Sequence, residues 1–459
     1  MNLKGAIAGI ANEPWNRALT VLMRMVVGGV FIFSGFAKAV DPWGTFYKFD
    51  EYFMALGWHS LTHLSLFFAI GIGIVEMMLG VALVVGAYRR GAPWLALLML
   101  LVFTPLTLWL AVTNYVSDCG CFGDAWHLSN WATFGKNVLL LLGVLYLILF
   151  NRSAPCLFGP AVQWIVMALT FAFVAAVAFN GYAVQPLIDF RPYEIGTRLE
   201  AANAEVEEDE YIFIYKKDGK EQEFRIDELP DEEDGWEFVD RYRQRKERTQ
   251  SEEENAVPTH SITVMEEGSE TTEEVLNPNE SQLLLLFPDL ENVSLANTFV
   301  LNNLNNLAKK DGVETYGITS AGAKAIADWN DVSMAEYPMY NADDSEIKML
   351  ARGNPAVVYV EQGEIKWKRT LSSIDSDKIE QAGMSVARLS DDFNPDSRMM
   401  HLFYAYMLAL AALLVINRAH LLFKRKPKQT ATATETTEVV TETEETTENE
   451  NNQQQNNSK

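Results

Sequence analysis

Six apolar runs divide this chain, at Ala18–Val40, Ser65–Tyr88, Pro93–Val116, Trp131–Phe150, Ala161–Phe179 and, after a long gap, Met400–Phe423. Each is close to the ~20 residues that an α-helix needs to cross hydrocarbon, where no water satisfies an open backbone group. Nearly half of the residues are hydrophobic (49%), yet the formal net charge is −24. Those two figures conflict for one globular domain and fit a chain split into apolar and acidic parts. The negative balance argues against nucleic acid, because phosphate binding needs a basic face. Three cysteines are too few for a disulfide scaffold. No small-residue cleavage site follows the first run, so the start reads as an uncleaved membrane segment.

Basic residues set the expected orientation. Arg17 precedes the first run, Arg89 and Arg90 end the second, Arg152 follows the fourth, and Lys424, Arg425, Lys426 and Lys428 follow the sixth. With alternating crossings these fall on one side, expected to be cytoplasmic. The chain then reads as a multi-pass inner-membrane protein. Residues from about 182 to 399 and the loop carrying Cys119 and Cys121 face outward, and Cys156 and the C-terminal tail face inward. Membrane lipid is the first expected partner.

The first four runs predict a four-helix bundle over 1–155. Gly28, Gly29, Ser34 and Gly35 in the first run, and Gly71, Gly73 and Gly80 in the second, allow close approach of helix backbones in lipid. A fifth helix and exit segment (156–190) lead out to an acidic hairpin and linker region (191–258), with "YIFIY" and "EFRI" around a Lys-Asp-Gly turn. From 259 to 392, strands and helices alternate. The strands are "SITVM", "SQLLLLF", "VETYGIT", "AVVYV" and "EIKWK"; the expected helices are Leu290–Lys310, Ala321–Trp329, Asp344–Ala351 and Asp375–Ala387. That order predicts an α/β sandwich. A transmembrane helix (400–423) follows. The Thr/Glu/Asn/Gln tail (429–459) has too little hydrophobicity to fold.

The chemistry-bearing residues are few. "DCGCFGDAW" (Asp118–Trp126) holds Cys119 and Cys121 around Gly120. A disulfide between them needs a sharp bend, which glycine permits. So small a ring is strained and labile, which suits a relay better than a staple. A tight turn of two small residues is the plain alternative. A metal clip with His127 falls short, because the cysteine spacing is one residue too small and a fourth ligand is missing; no metal is expected. Within the membrane, Arg24 and Glu76 are candidates for a polar pair. By helix rise, Arg24 lies about 9 Å from the inner end of its run and Glu76 about 18 Å from Tyr88, so two long side chains roughly span the offset. Glu76 reads equally as a proton-handling group and as one half of a structural ion pair. Lys38, Asp41 and Trp43, at the outer end of the first helix, are candidates for the mouth of a pocket near the cysteine loop, and Trp43 reads alternatively as an interfacial anchor. Cys156 reads as a plain small residue.

With these residues in place, a family resemblance follows. "GGVFIFSGFAKAVDPWG", the mid-helix Glu76 and "DCGCFGD" ahead of the fourth helix together resemble the DoxX/MauE group of membrane proteins, over about residues 18–150. The resemblance implies extracytoplasmic disulfide chemistry beside a thioredoxin-like partner. Residues 260–390 in turn resemble a thioredoxin-like domain in strand order and in "GNPAVVYV". The resemblance puts Pro355 in the place of the thioredoxin cis-proline and implies a groove for extended polypeptide bordered by Asn354 and Pro355; a turn kept for folding is the alternative. The departure is "FPDLENVSLAN", with no cysteine from Phe287 to Asn297. The fold class expected is therefore a membrane four-helix bundle plus a fifth helix, an extracytoplasmic α/β thioredoxin-like domain and a C-terminal transmembrane helix.

Two functions follow as expectations. One is a redox accessory that uses Cys119 and Cys121 with an extracytoplasmic protein dithiol; a quinone acceptor is suggested by analogy with membrane thiol oxidases. The other is a non-catalytic, membrane-anchored binding protein, whose cysteine-free domain holds a client protein. A transporter is a third class, but no paired broken helices support it.

Overall fold

The computed structural model describes residues 9–11, 13–114, 120–200, 210–217, 220–225, 237–244, 259–266 and 269–424. Cys119, most of the acidic stretch before the hairpin, the hairpin turn, the linker at 247–255 and the tail from 429 lie outside the described residues.

Six helices among the described residues are long and apolar enough to cross a membrane. Five come early: α1 (Pro14–Val40), α3 (Ser65–Val85), α4 (Gly91–Thr113), α5 (Asn130–Phe150) and α6 (Gln163–Ala183), with a further helix α2 (Pro42–Ala55) between the first two. Local chemistry marks their ends. Proline opens α1 and α2, where its missing N–H is no loss. Asp41 caps α2 by accepting the Gly44 N–H at 3.0 Å, and Ser129 caps α5 through the Ala132 N–H at 3.3 Å. Gly86 ends α3 at φ 71°, a left-handed position that suits a residue without Cβ. No helix was expected in α2. It is rich in aromatic residues, and Tyr52 and Phe53 are buried while Glu51 and Met54 face out.

Packing of α1 on α3 organises the bundle, and glycines set its closeness. A Cβ built on Gly80 would lie 2.6 Å from the Gly28 carbonyl oxygen, and one on Gly35 would strike Met77 and the Gly73 carbonyl. Of the expected small residues, Gly29 and Gly71 face open space instead. Val27, Phe31, Leu79, Leu83, Leu100, Leu140 and Val144 fill the core around this contact.

Beyond α6 the chain forms two sheets. The strands are β1 (Arg198–Glu200), β2 (Glu210–Lys217), β3 (Lys220–Arg225), β4 (Glu237–Gln244), β5 (Thr259–Ser261), β6 (Val264–Glu266), β7 (Ser269–Glu270), β8 (Ser281–Phe287), β9 (Glu314–Thr319), β10 (Met339–Ala342), β11 (Ala356–Glu361) and β12 (Glu364–Thr370). The small sheet has the order β3-β2-β4, so the expected hairpin gains a third strand. The large one runs β5-β1-β12-β11-β8-β9-β10-β6-β7. β8 and β9 are parallel, β10 is parallel to β9, and β11 is antiparallel to both β8 and β12. Its helices are α7 (Thr298–Asp311), α8 (Ala323–Ser333) and α9 (Asp344–Leu350). α7 starts later than expected, because Asp289 and Ser294 cap two short 3₁₀ turns first. The helix expected over Asp375–Ala387 is only a turn at Ser376–Ile379, with a second at Val386–Arg388.

The last helix, α10 (Pro395–Lys424), returns along α6. Its Tyr406 stacks on Phe173 at 4.7 Å, and the Tyr406 hydroxyl meets Thr170 Oγ1 at 2.9 Å. A buried ion cluster fixes the exit segment to the large sheet: Lys368 Nζ lies 2.6 Å from Asp189, which also binds Arg191 at 2.6 Å. Burial pushes the Lys368 ammonium down to about 8, and the Arg191 charge adds to this while Asp189 opposes it.

The glycine contact makes a direct prediction. Gly80→Val should force α1 and α3 apart, destabilising the bundle by about 1–3 kcal/mol as overpacking does. Gly71→Val, facing open space, should change little. Thermal unfolding of the detergent-solubilised chain, followed by intrinsic fluorescence, compares them.

Candidate functional site

Glu76 sits midway along α3 and is buried. A carboxylate at that depth requires compensation. Its partner is Lys38, not Arg24: Lys38 Nζ lies 2.8 Å from Glu76 Oε2. Ser34, one turn before Lys38 on the same face of α1, donates its hydroxyl to Glu76 Oε2 at 2.8 Å. Lys38 Nζ also donates to Ser34 Oγ at 2.7 Å and to the Cys121 carbonyl at 2.7 Å. Its three N–H donors thus meet three acceptors. The Ser34 Oγ lies 2.7 Å from the same Cys121 carbonyl. The cysteine loop is therefore fastened by its backbone to a buried ion pair.

The expected pair of Arg24 with Glu76 does not form. Arg24 lies at the other end of the bundle, where its Nε donates to Asn151 Oδ1 at 2.5 Å and its Nη1 to the Pro155 carbonyl at 2.7 Å. Its Nη2 also donates to the Asn151 carbonyl. The guanidinium closes the C-terminal end of α5, where carbonyls lack helical partners and the dipole favours a cation.

A cavity lies beside Glu76, and Gly120 and Cys121 are among the residues that line it. Its cavity volume is about 70 Å³, within about 730 Å³ of empty space that includes open solvent. Its walls are mostly apolar (Phe31, Phe49, Ile72, Phe103 and Leu140 among them), and its polar groups include Ser34, Lys38, Glu76, Asn137, Lys48 and Lys136. Gly120 and Gly123 bend the loop at φ 60° and 55°. Phe122 then packs inward against Phe33 at 5.1 Å, with Trp126 stacked on it at 5.9 Å and Lys136 Nζ 4.2 Å from its centroid. A concave, apolar site with a few convergent polar groups is the usual form of a small-molecule site.

The α/β domain docks on this loop through a residue that sequence reasoning missed. Arg352, in the link between α9 and β11, is buried; its Nη2 lies 2.6 Å from Asp41 Oδ2 and 2.6 Å from Asp124 Oδ2. Its Nε reaches Asp41 Oδ2 at 2.9 Å, making a two-pronged contact. Its backbone is held by Gln185, whose Nε2 donates to the Arg352 carbonyl at 2.6 Å. Burial alone would raise the Asp41 carboxyl, but Arg352 and then Arg191 hold it below the usual range. Burial keeps the Asp124 carboxyl above that range, with Arg352 opposing and Asp41 adding to the rise. Trp43 stacks on Tyr182 at 5.4 Å and donates to its carbonyl at 3.0 Å, tying α2 to the end of α6.

The other expected residues lie as follows. Asn354 bonds back to the loop after β8, donating to the Asp289 carbonyl at 2.7 Å, and the Asn354–Pro355 peptide is cis. The Cys156 thiol donates to the Gly86 carbonyl at 2.9 Å and receives Arg89 Nε at 2.7 Å, so it is a bonded turn residue rather than a plain small one. Among the described residues no group of His, Cys, Asp and Glu could hold a metal ion.

Removing Arg352 should be severe. Arg352→Met leaves Asp41 buried and unpaired, at about 3–5 kcal/mol, and Arg352→Met with Asp41→Asn should recover part of that loss. Limited proteolysis and denaturant unfolding of the four chains measure the cycle. Acid should act in two stages. The raised carboxyl of Asp124 binds its proton first, and the fold favours that form, so the loop contact is released without unfolding. The depressed carboxyl of Asp41 contributes stability present above its unfolded value of about 3.9, lost as the pH falls through its folded value. Trp126 fluorescence should therefore change at higher pH than protease access to the α/β domain.

Comparison with known families identifies two segments. Residues 209–246 match a family described as a domain of unknown function, DUF8463. No curated protein and no solved structure matches the chain. Residues 16–150 match the family described as methylamine utilisation protein MauE, so this helical part of the chain is a MauE-like membrane domain.

Proposed function

We propose that the chain is an inner-membrane redox accessory, which relays electrons by thiol–disulfide exchange at Cys119 and Cys121. The observation that carries this reading is that the Cys121 carbonyl accepts from Lys38 of the buried Lys38–Glu76 pair, beside a cavity that the same cysteine lines. The family description of residues 16–150 supports an accessory role in methylamine utilisation.

The exchange balances as follows. A thiolate of an extracytoplasmic dithiol partner attacks the Cys119–Cys121 disulfide, whose S–S bond breaks as a mixed disulfide forms. The partner's second thiol closes its own disulfide, and both cysteines of this chain are left as thiols. Two electrons and two protons must then leave. A quinone is the class of acceptor that takes both, and the mostly apolar lining with a few polar groups suits a flat ring with oxygen at its edge. The Lys136 ammonium, which also lines the cavity, would meet such an oxygen, and Glu76 would hold a proton beside it. The end of the bundle bearing Arg89, Arg90 and Arg152 would be cytoplasmic, and the α/β domain extracytoplasmic.

We read that domain as thioredoxin-like. Its central order β12-β11-β8-β9, with a helix between β8 and β9, supports this. It has no cysteine, so the dithiol belongs to another molecule. A second reading has the domain hold a client protein along a groove by Asn354 and Pro355. The exposed Leu295, Phe299, Val332 and Met334, with Asn302 bonded to the Ser333 carbonyl at 3.2 Å, favour it.

Thiol labelling of membranes carrying a Cys156→Ser chain tests the relay. Labelling at Cys119 and Cys121 should rise on reduction, and Cys119→Ser should accumulate a mixed disulfide at Cys121. Glu76→Gln should slow re-oxidation by about a hundredfold or more. Equal labelling with and without reductant would sink the relay. Unchanged re-oxidation with lowered stability would leave Glu76 a packing residue. Crosslinking that still captures the same partner after both cysteines are replaced would favour the binding protein.

A further inference from the structure

The end of the bundle away from the α/β domain carries an unusual concentration of positive charge. Arg89 and Arg90 lie in the turn between α3 and α4, and Arg152 in the turn between α5 and α6; together with Tyr88 and Gly91 they line one open hollow. Arg24 comes close by, through bonds to Asn151 and Pro155. Among the described residues, no carboxylate lies within ion-pair distance of any of these four guanidiniums. Gathering four like charges without a counter-ion is unfavourable, and the fold does it with some care. The Arg89 carbonyl accepts Asn151 Nδ2 at 3.0 Å, and the Arg89 side chain is held by Cys156 Sγ at 2.7 Å and by the Arg152 carbonyl at 3.4 Å. The Tyr88 N–H is fixed by Gln163 Oε1 at 3.1 Å. Arg90 and Arg152 stay exposed. Helix α4 starts inside the hollow, and Arg90 gives it no side-chain cap, so its first N–H groups add to the positive potential.

We propose that this hollow binds the phosphate headgroup of an anionic phospholipid. Guanidinium forks match phosphate oxygens in pairs. The location selects a lipid over a soluble phosphate. The hollow lies between the ends of membrane-spanning helices, and the exposed indoles of Trp94 and Trp164 flank it one turn further along α4 and at the start of α6. Such rings settle at headgroup depth. Basic pockets between helices on that side take acidic headgroups in the same way. The site is separate from the cysteine loop and stands whether or not that loop exchanges disulfides.

Native mass spectrometry of the detergent-solubilised full chain tests the assignment, with short-chain phosphatidylglycerol, short-chain phosphatidylcholine and inorganic phosphate as probes. Phosphatidylglycerol should be retained, and phosphatidylcholine should not. The Arg90→Gln, Arg152→Gln double variant, which changes two exposed residues, should weaken phosphatidylglycerol at least about tenfold, or ~1.4 kcal/mol. Unchanged thermal unfolding of that variant without lipid shows that its fold is kept. Equal retention of both lipids, or of phosphatidylglycerol by wild type and variant, would overturn the proposal. So would displacement of the lipid by equimolar inorganic phosphate. Lipid retention that appears only once residues 429–459 are deleted would assign the hollow to the glutamate-rich tail, and would overturn it too.

Discussion

A carboxylate placed among hydrocarbon side chains must be compensated where it stands, and Glu76 imposes that demand on the whole membrane part. Lys38 and Ser34 satisfy it from α1, which is possible only because α1 and α3 approach closely. The closeness in turn rests on Gly28 and Gly35 facing Gly80 and Gly73. The packing of two helices, the position of an ion pair and the anchoring of the loop at Cys121 are thus one arrangement. Larger side chains at the glycines would disturb all three.

A second charge organises the boundary between the two halves. Arg352 brings the α/β domain down onto Asp41, at the end of α1, and onto Asp124, within the cysteine loop. Asp41 also caps α2 through Gly44. One carboxylate therefore starts a helix and receives the neighbouring domain, and the loop is held from below by Lys38 and from above by Arg352. The domain without cysteines shapes the surroundings of Cys121.

Much of the membrane part was legible, because a span needs an unbroken apolar run and lipid allows little else. The α/β portion announced itself in "SQLLLLF" and "AVVYV". Helix α2 did not, since its aromatic residues cover a short interfacial helix with no strong period. The partner of Glu76 differs from the expected Arg24 for a physical reason. Helix rise gives depth from the ends of the runs, whereas register is set where backbones touch. Matching Gly28 with Gly80 and Gly35 with Gly73 sets Glu76 opposite the turn that carries Ser34, one turn from Lys38 and far from Arg24. That signal was in the sequence. Arg352 carried none, since its two carboxylate partners lie more than two hundred residues away along the chain, and only the folded domain brings them together.

The hydroxyl of Ser34 has a single hydrogen but faces two acceptors, the Glu76 carboxylate at 2.8 Å and the Cys121 carbonyl at 2.7 Å. It can serve only one of them at a time. Whichever oxygen it leaves must rely on Lys38 alone. The serine is in effect a two-position rotor between the membrane interior and the loop, and any event that makes one oxygen a poorer acceptor turns the hydrogen toward the other. Replacing it with alanine would keep both oxygens bound to lysine and remove the exchange between them.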